Sequence, residues 1–119
     1  PAIQICKELL NEGANLLIYD PKVSPLQISS DLNKEEFKSN EFKDVMGAWK
    51  FCATQEDACY KSDAIIIITE WGEFKTINWD HLRKVMRPPS WLFDTRNIAN
   101  HKKAESAGFK VWKLGYGNF

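Results

Sequence analysis

Residues 64 to 69 read Ala-Ile-Ile-Ile-Ile-Thr, and this run restricts the fold more than any other feature of the chain. Four consecutive isoleucines are β-branched on both faces of an extended segment, which suits a central strand covered by helices on each side. The run is far too short to span a bilayer. Strands of this kind predict a parallel sheet, and parallel neighbours require crossover connections, usually helical.

The rest of the chain supplies that alternation. Ala2 to Glu12 carries Ile5, Cys6, Leu9 and Leu10 at helical spacing, with Pro1 suited to a first turn and Gly13 at the stop. Leu16 to Tyr19 reads as a short buried strand closed by Asp20-Pro21. Lys22 to Gly47 is a polar crossover, and its apolar points Phe37, Phe42, Val45 and Met46 predict a helix between Asn33 and Met46. Trp49 to Ala53 is a second strand. Thr54 followed by Gln55-Glu56-Asp57 is a capping pattern that opens a short helix.

After the isoleucine strand, Asn78 caps a helix through Met86 with Trp79, Leu82, Val85 and Met86 on its inner face, and Pro88-Pro89 stops it. Trp91 to Asp94 is another strand, about Asn100 to Ala107 a helix ended by Gly108, and Phe109 to Trp112 the last strand. The predicted fold class is α/β, a three-layer Rossmann-like domain. Its parallel sheet has about five strands, in order 2-1-3-4-5 or a close variant, with helices on both faces.

The 119 residues suit one domain spanning 1–119, and 44% hydrophobic content with five Trp and seven Phe argues for a packed core over disorder. Sixteen basic residues balance sixteen acidic ones, for a formal net charge of +0. That balance removes the bulk electrostatic case for nucleic acid and for a polybasic membrane surface. The first residues read as helix, with no signal peptide, and the start at Pro1 fits a processed or excised piece. Three cysteines without CxxC spacing argue against a disulfide framework or structural zinc, so the expected compartment is the reducing cytoplasm.

Ligands of open α/β sheets bind beyond the carboxyl ends of the strands. Those ends are Asp20-Pro21, Thr54, Thr69-Glu70-Trp71 and Asp94-Thr95-Arg96-Asn97. Arg96 is the sharpest candidate. It is one of three arginines, with Arg83 and Arg87, and its guanidinium is a fixed fork of donors for phosphate or a nucleobase carbonyl. The competing reading is an ion pair with Asp94 or Glu70 that ties loops together. Thr69, Glu70 and Trp71 come next: a donor or cap, an acceptor for a ribose hydroxyl or a partner of Arg96, and an aromatic lining an interface or simply packing in the core. Asp20 fits an Asx-type turn before Pro21 better than a ligand contact.

No G-x-G-x-x-G follows the first strand, and no G-x-x-x-x-G-K-[ST] or G-x-S-x-G is present. His81 and His101 lie on different helices without metal-ligand spacing, and they read as surface or helix-face residues. Cys6, Cys52 and Cys59 read as buried, inert thiols with no adjacent basic partner. The chain looks like a binding domain that lacks a catalytic set.

Four strings occur in order at compatible separations: Pro1-Ala2-Ile3-Gln4-Ile5-Cys6, Ile18-Tyr19-Asp20-Pro21-Lys22-Val23, Thr69-Glu70-Trp71 with Phe74, and Phe93-Asp94-Thr95-Arg96-Asn97. Together they resemble the C-terminal UDP-binding domain of the UDP-glucose/GDP-mannose dehydrogenase family, from Pro1 to about Leu114, with the Lys22–Gly47 crossover matching poorly. The resemblance implies oxidation of UDP-glucose to UDP-glucuronate in two NAD-dependent steps, through a cysteine nucleophile held upstream. None of the three cysteines here matches that residue, and the NAD fingerprint also belongs upstream. The chain alone is therefore expected to be inactive.

The resemblance further implies that Arg96 contacts the UDP part of the substrate, and that Thr69, Glu70 and Trp71 lie in the cleft or at the interface with the cofactor domain. The implied partners are UDP-glucose or UDP, the upstream NAD-binding and central regions, and a second subunit in a homodimer or larger assembly. Thr95 stands where related enzymes often have Gly. Two other readings stay open: a family member acting on UDP-N-acetylmannosamine or GDP-mannose, and a flavodoxin-like interaction module without a ligand.

Overall fold

A computed structural model describes residues 1–112. Five helices and five short strands alternate along the described chain, with a 3₁₀ turn after the third strand. The chain divides into two compact units, Pro1–Ala58 and Cys59–Phe119.

In the first unit, helix α1 (Ala2–Asn11) turns its Cys6 and Leu10 side chains inward. Strands β1 (Leu16–Ile18) and β2 (Trp49–Phe51) run parallel, with Leu16 opposite Trp49 and Ile18 opposite Phe51. Asn15 sets that register: its side chain donates to Val45 O at 2.8 Å and accepts from Ala48 N–H at 3.0 Å. Gly47 has φ +69, and a Cβ there would lie 2.8 Å from Leu10 O, so only glycine lets the two backbones approach this closely. Leu10, Ile28, Leu32 and the fully buried Trp49 form the core of the unit.

The crossover departs from expectation. Its helix is α2 (Pro25–Leu32), not a segment between Asn33 and Met46. Ser24 caps it by accepting from Gln27 N–H at 3.2 Å, and Pro25 occupies the first turn. Asn33 ends it in the left-handed conformation, φ 51. The following residues are held along the edge of β2 instead of coiling. Phe37 N–H donates to Trp49 O at 2.9 Å, Phe51 N–H donates to Glu36 Oε2 at 2.6 Å, and the Trp49 indole donates to Lys34 O at 2.9 Å. Phe37 and Phe42, read as one helix face, form a tilted ring pair 5.8 Å apart in this non-helical segment.

Helix α3 (Gln55–Cys59) starts where the capping pattern predicts, with Asp57 N–H donating to Thr54 Oγ1 at 3.0 Å. In the second unit, β3 (Ala64–Ile67), β4 (Trp91–Asp94) and β5 (Lys110–Trp112) form a parallel sheet in that order. The described strands are hydrogen-bonded as two parallel sheets, β1–β2 and β3–β4–β5, rather than as one sheet of five. The neighbours within each are those of the predicted order.

Within β3–β4–β5 the isoleucine strand takes an end position, and its two faces are unequally buried. β4 takes partners on both edges, whereas Ile66 stays 38% exposed while Ile67 is 4% exposed. Register explains the asymmetry. Ile65, Ile67, Leu92, Asp94 and Val111 share one face, where Leu92 is completely buried. Ile66, Trp91, Phe93 and Trp112 share the other, where Trp91 stacks on Phe93 and the Trp112 ring lies tilted against Phe93 at 6.2 Å.

Helix α4 (Trp79–Val85), capped by Asn78 through His81 N–H, buries Trp79 and Leu82, with Met86 buried just beyond its end. Helix α5 (His101–Ser106), capped by Asn100 through Lys103 N–H, buries Ala104. Trp79 meets Phe109 edge to face at 5.3 Å. Among the described residues no helix is long and apolar enough to cross a membrane.

The two sheet faces respond differently to truncation. Leu92→Ala leaves a cavity in a fully buried site and is expected to cost about 2–5 kcal/mol of stability in urea unfolding. Ile66→Ala, on the half-open face, is expected to cost roughly half of that or less.

Candidate functional site

The carboxyl ends of β3 and β4 lie side by side because Ile67 pairs with Asp94. Two segments leave from there: Ile68 to Trp71, and a loop from Thr95 to Asn100 that leads into α5. Their attachment is built from hydrogen bonds. Thr95 donates twice to Ile67 O, from its backbone N–H at 3.0 Å and its hydroxyl at 2.8 Å. A glycine at this position keeps the first bond and lacks the second, so Thr95 is well suited to this turn.

Asp94 organises the loop. Its side chain is fully buried. Oδ1 accepts from Arg96 N–H at 3.2 Å, while Oδ2 accepts from Ala99 N–H at 2.8 Å and meets His101 Nε2 at 2.9 Å. A carboxylate is an acceptor only, so this contact places a proton on His101 Nε2. Asn97, at φ 54, supplies the left-handed residue that the reversal requires. A buried carboxylate without donors is costly, and this one is met by N–H groups of Arg96, Ala99 and His101.

Arg96 projects from this loop with its side chain 43% exposed, and Nη2 lies 3.2 Å from Glu70 Oε2. Of the two ion-pair partners considered from sequence, the structure supplies Glu70. Asp94 instead holds the Arg96 backbone. Glu70 is 59% exposed, so the pair is solvent-screened and worth at most about 1 kcal/mol. Arg96 and Glu70 are thus brought together, with Thr69 half-buried just before them in the chain. Trp71 opens the 3₁₀ turn Gly72–Thr76, and its Nε1 is buried without a hydrogen-bond partner among the described residues.

Other candidates resolve differently. Asp20 accepts from Lys22 N–H at 2.8 Å and Val23 N–H at 3.1 Å, the expected Asx-type turn. These amides are therefore committed to Asp20, and no glycine cradle surrounds them. The residues after β1 do not fit a dinucleotide pyrophosphate. Of the two readings of His101, surface or helix-face, the second holds: it opens α5 with its side chain 16% exposed and engaged with Asp94. His81 is exposed on α4. A cleft of about 210 Å³ in the first unit is lined by Pro25, Leu26, Ser29, Glu35, Glu36 and Lys38. Two carboxylates against one ammonium make it a poor seat for an anion.

The role of Asp94 and His101 was not read from sequence. The available signal was a carboxylate ending an apolar strand, which has to find donors nearby, and a histidine opening the next helix.

Cys52 and Cys59 are buried, as expected, while Cys6 is only partly so. Burial raises the Cys6 pKa. Cys52 is pushed up to about 11, mainly by burial and further by Asp57 and Glu36, against the opposing pull of Lys50. A basic neighbour is therefore present, and it does not prevail. Since the thiolate is the nucleophile, the ionised fraction of Cys52 near pH 8 falls about 100-fold below that of an ordinary thiol. Iodoacetamide is expected to alkylate Cys52 at pH 8 about 100-fold more slowly in the folded chain than in urea, as mass spectrometry would follow.

Comparison with known proteins converges on the same segment. The UDP binding domain of the UDP-glucose/GDP-mannose dehydrogenase family matches residues 1–101. UDP-glucose 6-dehydrogenase 4 of Arabidopsis thaliana is 34% identical over 97% of this chain. UDP-glucose 6-dehydrogenase of Drosophila melanogaster is 37% identical over 96%, and UDP-glucose 6-dehydrogenase 1 of Glycine max 35% over 97%. The aligned stretch makes up 25%, 24% and 25% of these relatives, so the chain spans about a quarter of their length. With Asp94, Arg96, Glu70 and His101 all inside the matched residues, the chain belongs to the UDP-glucose/GDP-mannose dehydrogenase family, through its UDP binding domain.

Proposed function

We propose that this chain binds the uridine diphosphate end of UDP-glucose through Arg96, as one part of a UDP-glucose 6-dehydrogenase. The observation that carries the reading is the position of Arg96. It is an accessible guanidinium on a hydrogen-bonded loop at the carboxyl end of a parallel strand, within the residues that match a UDP binding domain. Parallel α/β sheets place ligands at such ends. The guanidinium offers two parallel N–H bonds to a phosphate.

The diphosphate has to displace Glu70 from Arg96, or leave it to accept from a ribose hydroxyl. Their screened ion pair opposes this only weakly. Thr69 and Trp71 flank the same strand end and would line the cleft or face the rest of the enzyme. Binding energy from the nucleotide, remote from the sugar carbon that reacts, would orient that carbon toward groups outside these residues.

The whole reaction, an NAD-dependent oxidation of UDP-glucose to UDP-glucuronate, requires a dinucleotide site and a nucleophilic cysteine. The turn after β1 does not fit the first, and the raised Cys6 and Cys52 thiols do not fit the second. The chain alone is expected to bind UDP and to reduce no NAD. Three cysteines outside any disulfide are compatible with work in the cytoplasm.

Calorimetry with UDP tests the assignment. Arg96→Ala is expected to weaken UDP binding about tenfold or more, the equivalent of one or two hydrogen bonds to a charged group. Arg96→Lys is expected to recover only part, because an ammonium lacks the planar fork. Equal binding by the unaltered chain and Arg96→Ala would refute the role of Arg96. No binding by either would favour an interaction module, and tighter binding of GDP than UDP would favour a GDP-mannose enzyme.

A further inference from the structure

We infer that His101 is a positioning residue for nucleoside diphosphate binding, acting through Asp94 to hold the loop that carries Arg96. The inference rests on the phosphate-binding reading of Arg96 and adds a residue that neither the family match nor the sequence strings single out.

The two oxygens of Asp94 carry different loads. Oδ1 accepts from Arg96 N–H at 3.2 Å. Oδ2 takes Ala99 N–H at 2.8 Å and His101 Nε2 at 2.9 Å. An aspartate carboxyl turns broadly about its terminal torsion. The bonds made by Oδ2 therefore set the plane of the group, and that plane decides whether Oδ1 still points at Arg96 N–H. Ala99 belongs to the same loop, so it moves when the loop moves. His101 is anchored separately, in α5, whose Ala104 is completely buried. It is the contact that ties the carboxylate to the packed body of its unit.

Solvent does not readily replace this contact. Asp94 is fully buried and His101 is 16% exposed. Removing the imidazole donor leaves a buried oxygen with one donor fewer and frees the carboxylate to turn. Arg96 Cα then loses its fixed position above the strand end, and a guanidinium that must meet a phosphate with both donors is sensitive to displacement of that kind.

NMR titration of the 119-residue chain with UDP and with uridine provides the test, using His101→Leu, His101→Asn and His101→Gln beside Arg96→Ala. Gln can place an amide N–H near the position of Nε2, Asn is too short to do so, and Leu has no donor. The expected result is UDP binding about tenfold weaker for Leu and Asn and largely restored for Gln. Uridine, which lacks phosphate, is expected to bind all three variants as it binds the unaltered chain. A purely structural role would weaken uridine and UDP together and would overturn the inference.

UDP binding unchanged in a folded His101→Leu or His101→Asn variant would overturn it, as would a Gln variant no better than Asn. If Leu does not fold, the Asn and Gln pair decides. Loss of UDP binding in Arg96→Ala with none in the His101 variants defeats the positioning role alone. Unchanged binding in Arg96→Ala defeats the phosphate reading itself, and this inference with it.

Discussion

The buried carboxylate of Asp94 is the constraint on which the rest of the candidate site depends. It lies on the same sheet face as the buried Leu92 and Ile67, at the last paired position of β4. A charge in that place is tolerated only with its acceptor sites filled. The donors that fill them, Arg96 N–H, Ala99 N–H and His101 Nε2, come from the loop and helix that follow. The local fold is therefore dictated backward from one side chain. The chain turns back at Asn97 and starts α5 at His101 because those positions bring donors to Asp94.

This arrangement separates rigidity from availability. The backbone at Arg96 is held from below by Asp94, and Thr95 is held from the side by two bonds to Ile67 O. The Arg96 side chain beyond that anchor is half open to solvent and pairs with the exposed Glu70. A fixed base and a weakly committed head are what ligand capture asks of an arginine. Ordering costs are met by the fold, and the competing ion pair is too screened to resist an incoming phosphate.

Much of this was legible in the sequence, and the reason is local chemistry. The Thr54 and Asn78 caps are readable because a capping side chain acts on an amide three residues away. β4 was bounded correctly because four apolar or strand-ending residues lie between Pro89-Ser90 and a turn. The misreadings involve partners distant in sequence. Phe37, Phe42, Val45 and Met46 mimic a helical stripe, yet the segment is non-helical: Glu36 and Phe37 are hydrogen-bonded to Phe51 and Trp49, and Asp44 turns at φ 57. The true helix carried a local signal, Ser24-Pro25 with Asn33, which the polar composition around it obscured. The isoleucine run reports burial without reporting sheet order, so Ile66 on the open face was not distinguishable from Ile67 on the closed one. Arg96 stood out by type and place, whereas His101 gains meaning only from Asp94.

The zero net charge of the chain follows the same logic. A general positive field would draw phosphates, nucleic acid included, from a distance and would confer little selectivity among them. Two negative groups meet Arg96, and they differ in kind. Asp94 is buried and met by donors, and Glu70 is exposed and exchangeable. Neither cancels the guanidinium for a ligand that arrives in the right orientation, and both disfavour loose anionic contact. Affinity in such a site depends on where the guanidinium is held to within a fraction of an ångström. It depends little on how much positive charge surrounds it, and that is why the carboxylate beneath the loop matters more to the proposed ligand than any lysine on the surface.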